Sequence, residues 1–394
     1  MPNGWAGRGP SCGRRLARRA GTYDGRKLAR RGVVIVTVNY RLGVLGYLAH
    51  PVLSKESPIG SSGNYGLLDQ IAALRWVRGN IVRFGGDPAN VTVAGQSAGG
   101  GSAMLVTVSP SARGLFQKAV FESGAALGLP GTSAQIGLDE AEIAGASFAR
   151  RLAATTADQL RALQAKALIT SSVPRAATGP INIAPAYRSG RDAGVPILLG
   201  WNSNEAARFI DHVTLDAYAA TVRQSYGVIA PDMLRLYPAT TDATATGAAQ
   251  NLISDAGFGL RSWSIAEART AKKPAAAFLY QFDGSPPGPD GSRAKGAVHS
   301  DELGYVWGKN DPQRHWSPTD NALVETVHSY WLNFMRTGDP NGRSLPRWAH
   351  YGRAATALSL RAGRVTNELP LRVAKLKSIN NVLSTILPPS KRLE

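Results

Sequence analysis

The chain has 394 residues, 43% of them hydrophobic and 18% charged, which excludes an intrinsically disordered chain. No apolar run approaches the ~20 residues needed to cross a bilayer, so no membrane span is expected. The net charge of +18 sits at the ends: residues 1–31 and 341–394 each carry +8, leaving +2 between them. Neither end pairs its charge with stacking aromatics or a nucleic-acid motif, so a solvated basic surface is expected and no nucleic-acid partner.

Residues 1–22 show no periodicity and read as an irregular basic leader that contains Cys12, the one cysteine. Residues 32–40 form a β-branched apolar run, expected as a buried strand. The stretch 64–86 places Leu67, Ile71, Leu74, Val77 and Ile81 at helical spacing and closes on Gly85-Gly86, an amphipathic helix lying on a sheet. Residues 91–95 are a second strand, and a helix begins at Ala98. Further strands are expected at 117–122, 196–200 and 276–282, and helices in the Ala-rich 135–165 region. Residues 283–296 are Pro/Gly-rich and read as a surface loop. Strands alternating with helices predict an α/β fold, a mostly parallel sheet covered on both faces. A single domain over 23–375 is expected, with 376–394 as a C-terminal tail.

Gly95-Gln96-Ser97-Ala98-Gly99 matches G-x-S-x-G. The pentapeptide alone is weak, but a strand runs into it and a helix leaves it, the setting a nucleophile elbow requires. Ser97 is then the expected nucleophile, and the Ala98 N–H points at a developing oxyanion. A serine of this kind needs a base. Among six histidines, His299 follows the last expected strand through a loop, and Glu205 follows the 196–200 strand. Catalytic groups gather at the carboxyl ends of parallel strands, and Ser, acid, His is the chain order of such hydrolases. Topology alone leaves the pair open between a catalytic and a structural role.

Longer motifs surround these residues: Val38-Asn39-Tyr40-Arg41-Leu42-Gly43, Gly63-Asn64-Tyr65-Gly66-Leu67-Leu68-Asp69-Gln70, Phe84-Gly85-Gly86-Asp87-Pro88-Ala89-Asn90-Val91-Thr92, Glu122-Ser123-Gly124 and Asn333-Phe334-Met335-Arg336-Thr337-Gly338-Asp339-Pro340-Asn341. Together with the elbow they resemble the type-B carboxylesterases, a group that includes bacterial para-nitrobenzyl esterases, cholinesterases and the non-enzymatic neuroligins. The resemblance implies the α/β-hydrolase fold, with Ser97 as nucleophile, Glu205 as acid and His299 as base, and with Gln96, Ser123 and Glu302 around them. Phe121, Leu127, Trp201, Phe209 and Trp307 lie near the expected site loops, where they line an apolar pocket or pack in the core.

Two departures from the family pattern bear on function. Gln96 stands where the family often has Glu, which removes an anion beside the serine and argues against cationic choline-like esters. The family also carries a strand and a His-Gly-Gly-type loop ahead of the point matching Tyr23, and this sequence has no Gly-Gly pair before Gly85. N-terminal strands of the fold are therefore expected to be missing, one of them between 33–38 and 91–95. One lost oxyanion donor typically costs ~10²–10³ in turnover. The expected partner is a small-molecule ester, with no cofactor and no metal: no ligand cluster and no phosphate-cradling loop is present. The rival expectation is a catalytically impaired or silent hydrolase-fold protein, either a truncated esterase or a module that binds a partner. As written, the N-terminus lacks the apolar stretch of a secretory signal, which suits a cytoplasmic protein unless a signal lies upstream.

Overall fold

The computed structural model describes residues 23–124, 137–170, 183–270, 276–308, 311–352, 354–370 and 372–386. The expected leader, with Cys12, and Leu127 lie outside these residues.

Six strands form one sheet in sequential order: β1 (Thr92–Gln96), β2 (Lys118–Glu122), β3 (Ile197–Asn202), β4 (Ala277–Phe282), β5 (Ala357–Arg361) and β6 (Arg364–Glu368). β1 to β5 run parallel and β6 returns antiparallel to β5. The first four strands fall where the apolar runs predict them. The β5–β6 hairpin was not expected, although its two-residue Ala362-Gly363 turn, with Gly363 at φ 78°, was available as a signal.

Alternation along the strands builds two core layers. Ala119 and Phe121, Ile197, Leu199 and Trp201, and Ala277 and Leu279 face one layer. Val120, Leu198, Phe278, Tyr280 and Phe282 face the other. The principal helices are α1 (Tyr65–Asn80), α2 (Ala98–Val108), α3 (Asp242–Ile253), α4 (Leu260–Thr270), α5 (Pro318–Thr337) and α6 (Val373–Ile386). α3, α4 and α6 cover the first layer, and α5 covers the second through Val327, Tyr330, Trp331 and Phe334. α1 buries Ile71 and Val77, two of the positions its spacing predicts. The Ala-rich region supplies helices Leu138–Arg151 and Ala157–Ala162.

Two expectations are corrected. Residues 33–40 form no strand, and Val34, Val36 and Val38 are 42, 42 and 40% exposed. The run has strand composition, but among the described residues β1 pairs only with β2, and none of them supplies a strand ladder for the N–H and C=O groups of 33–40. The second correction is at the other end. Residues 376–386, expected as a tail, continue α6 and bury Leu376, Ile379 and Leu383 in the first core layer.

Candidate active site

Ser97 sits between the end of β1 and the start of α2, at φ 57° and ψ −123°. Non-glycine residues rarely adopt a positive φ, and seven of the described ones do. Ser97, Ser123 and Ser300 are three of these, and all three stand at the site. The turn is so tight that a Cβ on Gly95 would lie 2.2 Å from the Gly99 carbonyl oxygen. One on Gly100 would lie 2.9 Å from Gly124 Cα. Gly99 is different: a Cβ there meets nothing within 4 Å. The steric demand thus falls on Gly95 and Gly100, and not on the second glycine of the pentapeptide.

The structure brings Ser97, His299 and Glu205 together. Ser97 Oγ lies 2.8 Å from His299 Nε2, and His299 Nδ1 lies 2.6 Å from Glu205 Oε2. A carboxylate at Nδ1 requires the proton there, so Nδ1–H donates to Glu205 and Nε2 is left to accept from the serine hydroxyl. His299 is 7% exposed and Glu205 fully buried. Glu205 opens a 3₁₀ turn (Glu205–Arg208) just past β3, and its Oε1 accepts the Asn202 N–H at 2.7 Å. Burial alone would lower the His299 pKa. The Glu205 hydrogen bond and charge, helped by Glu302, outweigh burial and the nearby Arg208, so the pKa is raised.

The remaining site candidates divide. Gln96 Nε2 lies 3.4 Å from His299 Nε2 and donates to Ser300 Oγ at 3.0 Å. Ala98 is the first residue of α2, where helix N–H groups have no partner within the helix and the dipole favours negative charge. Ser123 and Glu302 are fully buried behind the site. Of the apolar candidates among the described residues, only Phe209 stands against a site residue, its ring 5.1 Å from His299 and half exposed. Phe121 and Trp201 are fully buried in the first core layer and have no surface to offer a pocket. Trp307 packs edge-on against Tyr23 at 5.8 Å. These three are corrected from pocket to packing.

Sequence reasoning missed Phe258, whose ring is also 5.1 Å from His299. It belongs to a π-helical segment, Ser254–Gly259, joining α3 to α4. In the same segment Ser254 Oγ accepts the Ala206 N–H at 3.1 Å, so the segment braces the turn that carries Glu205. A wide turn of this kind leaves no periodic signal in sequence, though such turns recur at functional sites.

A serine at a strained strand-to-helix turn, bonded to a histidine and through it to a carboxylate, on a mostly parallel sheet covered by helices, defines an α/β-hydrolase. The chain belongs to the carboxylesterase family, whose profile matches residues 13–374. It is 33% identical over 357 residues to the fumonisin B1 esterase of Sphingopyxis macrogoltabida, covering 84% of this chain and 64% of that protein. It is also 33% identical over 353 residues to the para-nitrobenzyl esterase of Bacillus subtilis, covering 84% of this chain and 69% of that protein. A solved thermophilic para-nitrobenzyl esterase superposes with a TM-score of 0.75 at 29% identity, covering 91% of this chain and 76% of the other. The chain spans about two thirds of the length of these curated relatives. Among the described residues, no helix is long and apolar enough to cross a membrane.

Proposed function

We propose that this chain hydrolyses carboxylic esters through an acyl-enzyme, with Ser97 as nucleophile, His299 as general base and Glu205 as the group that orients and stabilises His299. The observation that carries the reading is the unbroken bond sequence from Ser97 Oγ through His299 to Glu205 Oε2. Ser97 Oγ attacks the ester carbonyl carbon while its proton passes to His299 Nε2. The oxyanion forms beside the Ala98 N–H at the positive end of α2. As the intermediate collapses, the C–O bond to the alcohol breaks and His299 returns the proton to the departing oxygen. Water then attacks the acyl-enzyme, His299 takes its proton, and the acid leaves with Ser97 regenerated.

Phe209 is the side chain best placed to contact the substrate, and Gln96 offers no anion for a cationic alcohol group. The substrate on this reading is a small ester, and the scheme calls on no metal or organic cofactor. One observation speaks for the silent-binder alternative: among the described residues β1, which leads into Ser97, is hydrogen-bonded on one edge only. A fluorophosphonate probe separates the two readings. Intact-mass analysis is expected to show one covalent adduct, lost in Ser97→Ala and slowed in His299→Asn. A folded chain that takes no adduct would leave the silent reading.

A further inference from the structure

Three carboxyl groups are buried at the carboxyl end of the sheet, and the scheme above uses only Glu205. Asn202 joins it to a second. The Asn202 N–H donates to Glu205 Oε1 at 2.7 Å, and Asn202 Nδ2 donates to Glu302 Oε2 at 2.5 Å. The third, Glu122, ends β2 and accepts from the indole Nε1 of Trp331 at 2.5 Å. The strand register places Gln96, Glu122, Gly200 and Tyr280 on one rung across the sheet, and partners on a rung project from the same face. A Cβ on Gly200 would lie 2.5 Å from ring atoms of Tyr280. Glycine at that point lets the Tyr280 ring lie over the strand that separates it from Glu122.

Polar atoms in this region go unmatched. Glu302 Oε1, the Tyr280 hydroxyl, the Ser123 hydroxyl and Asn202 Oδ1 are buried with no hydrogen-bond partner among the described residues. Leaving such groups bare costs about 1–3 kcal/mol each, so a cluster of them in one place calls for a proton or a water between them. The charge balance points the same way. Asn202 bridges Glu205 and Glu302, Glu122 ends β2, and the charges of all three carboxyls reach Tyr280 on β4. The loop that carries Glu302 adds His299 and Asp301. The cations nearby, Arg208 and Arg314, act on His299 and Asp301 from outside the cluster. α5 contributes the neutral Trp331. Three buried carboxylates without a buried cation would repel strongly at low dielectric.

We propose that Glu302 is a positioning residue that acts on His299 through Asn202 and Glu205, and that Glu122, on the same rung and face of the sheet as Tyr280, is kept as a neutral acid beside it. With Glu122 neutral, Glu302 is able to carry charge when His299 becomes cationic. Burial and the Glu302 charge push Glu122 up to about 8, and burial with the Glu205 charge raises Glu302, both consistent with a retained proton. The effect on turnover rests on the esterase reading; the effect on His299 does not.

The test is a direct NMR titration of His299 in the full chain with labelled histidine, assigned by His299→Asn. Glu302→Gln keeps the size and the acceptor for Asn202 and removes the charge. The variant is expected to titrate His299 roughly half a pH unit or more lower than the parent, and the acid limb of kcat/KM to move with it. An unchanged His299 overturns the proposal. The unmodified chain offers a second measurement should the variant fail to fold. Its infrared spectrum should show a protonated-carboxyl C=O band at neutral pH that disappears as the solution is made alkaline, and its absence at neutral pH overturns the proposal as well. Because His299 titrates whether or not ester is turned over, an inactive chain would defeat the esterase reading and leave this one testable.

Discussion

Arg372 Nε lies 2.8 Å from both carboxylate oxygens of Asp255, which is fully buried, and its Nη2 donates to the Ser203 carbonyl at 2.9 Å. One guanidinium thus ties the π-helical segment that carries Phe258 to the loop entering Glu205, from a residue just ahead of α6. Arg372 takes a positive φ of 61° to do so. Arg372→Ala would leave the Asp255 carboxylate buried without its guanidinium, held by the Tyr237 hydroxyl at 2.7 Å, a change that typically costs about 3–5 kcal/mol. Denaturant unfolding is expected to show a loss in that range. Arg161→Ala, which breaks a solvent-exposed pair with Glu56, should leave the denaturant midpoint nearly unchanged.

The elbow makes a steric prediction of opposite signs. Gly95→Ala drives a Cβ into the Gly99 carbonyl and is expected to prevent folding or to cost several kcal/mol. Gly99→Ala meets open space within α2, where alanine is favoured over glycine by up to about 1 kcal/mol. Thermal unfolding of the two variants checks the pair, and equal losses would contradict the geometry.

Gln96→Glu places an anion within reach of His299 Nε2. An anion there favours the imidazolium and raises the His299 pKa further. A general base works only when neutral, so the acid limb of the kcat/KM profile should move to higher pH, measured with a neutral ester.

Glu122 holds its proton to about 8 in the folded protein and releases it near the ordinary carboxylate range when unfolded. The folded state therefore binds more protons across that window, and stability falls as pH rises through it. Glu122→Gln removes the titration. The variant is expected to gain stability relative to the parent steadily from mildly acidic to mildly alkaline pH, read by denaturant midpoints at each pH. A difference constant with pH would contradict the buried-acid description.

Much of the parallel sheet was legible because β2, β3 and β4 are buried on both faces and so read as unbroken apolar runs. The same logic misled at 33–40, whose composition is that of a strand but which finds no pairing strand among the described residues; pairing is not written in the run itself. Ser97 was visible because the elbow is local; Glu205 and His299 each follow a strand end in the right order, which left their roles open until the family resemblance singled them out. Their surroundings were not legible. Phe258 reaches His299 through a π-helical turn, and the Asn202 bridge between Glu205 and Glu302 spans about a hundred residues of sequence, a long-range juxtaposition with no periodic signature. Trp201 and Phe121 misled for a related reason: residues beside a strand end alternate between site and core, and one position decides which.

The measurement that tests the central claim most directly is hydrolysis of p-nitrophenyl butyrate by the purified chain beside its Ser97→Ala variant. The account predicts turnover by the parent and its loss to background in the variant, with both proteins equally folded by circular dichroism. Folded parent protein without turnover, or turnover that survives the substitution, would contradict it.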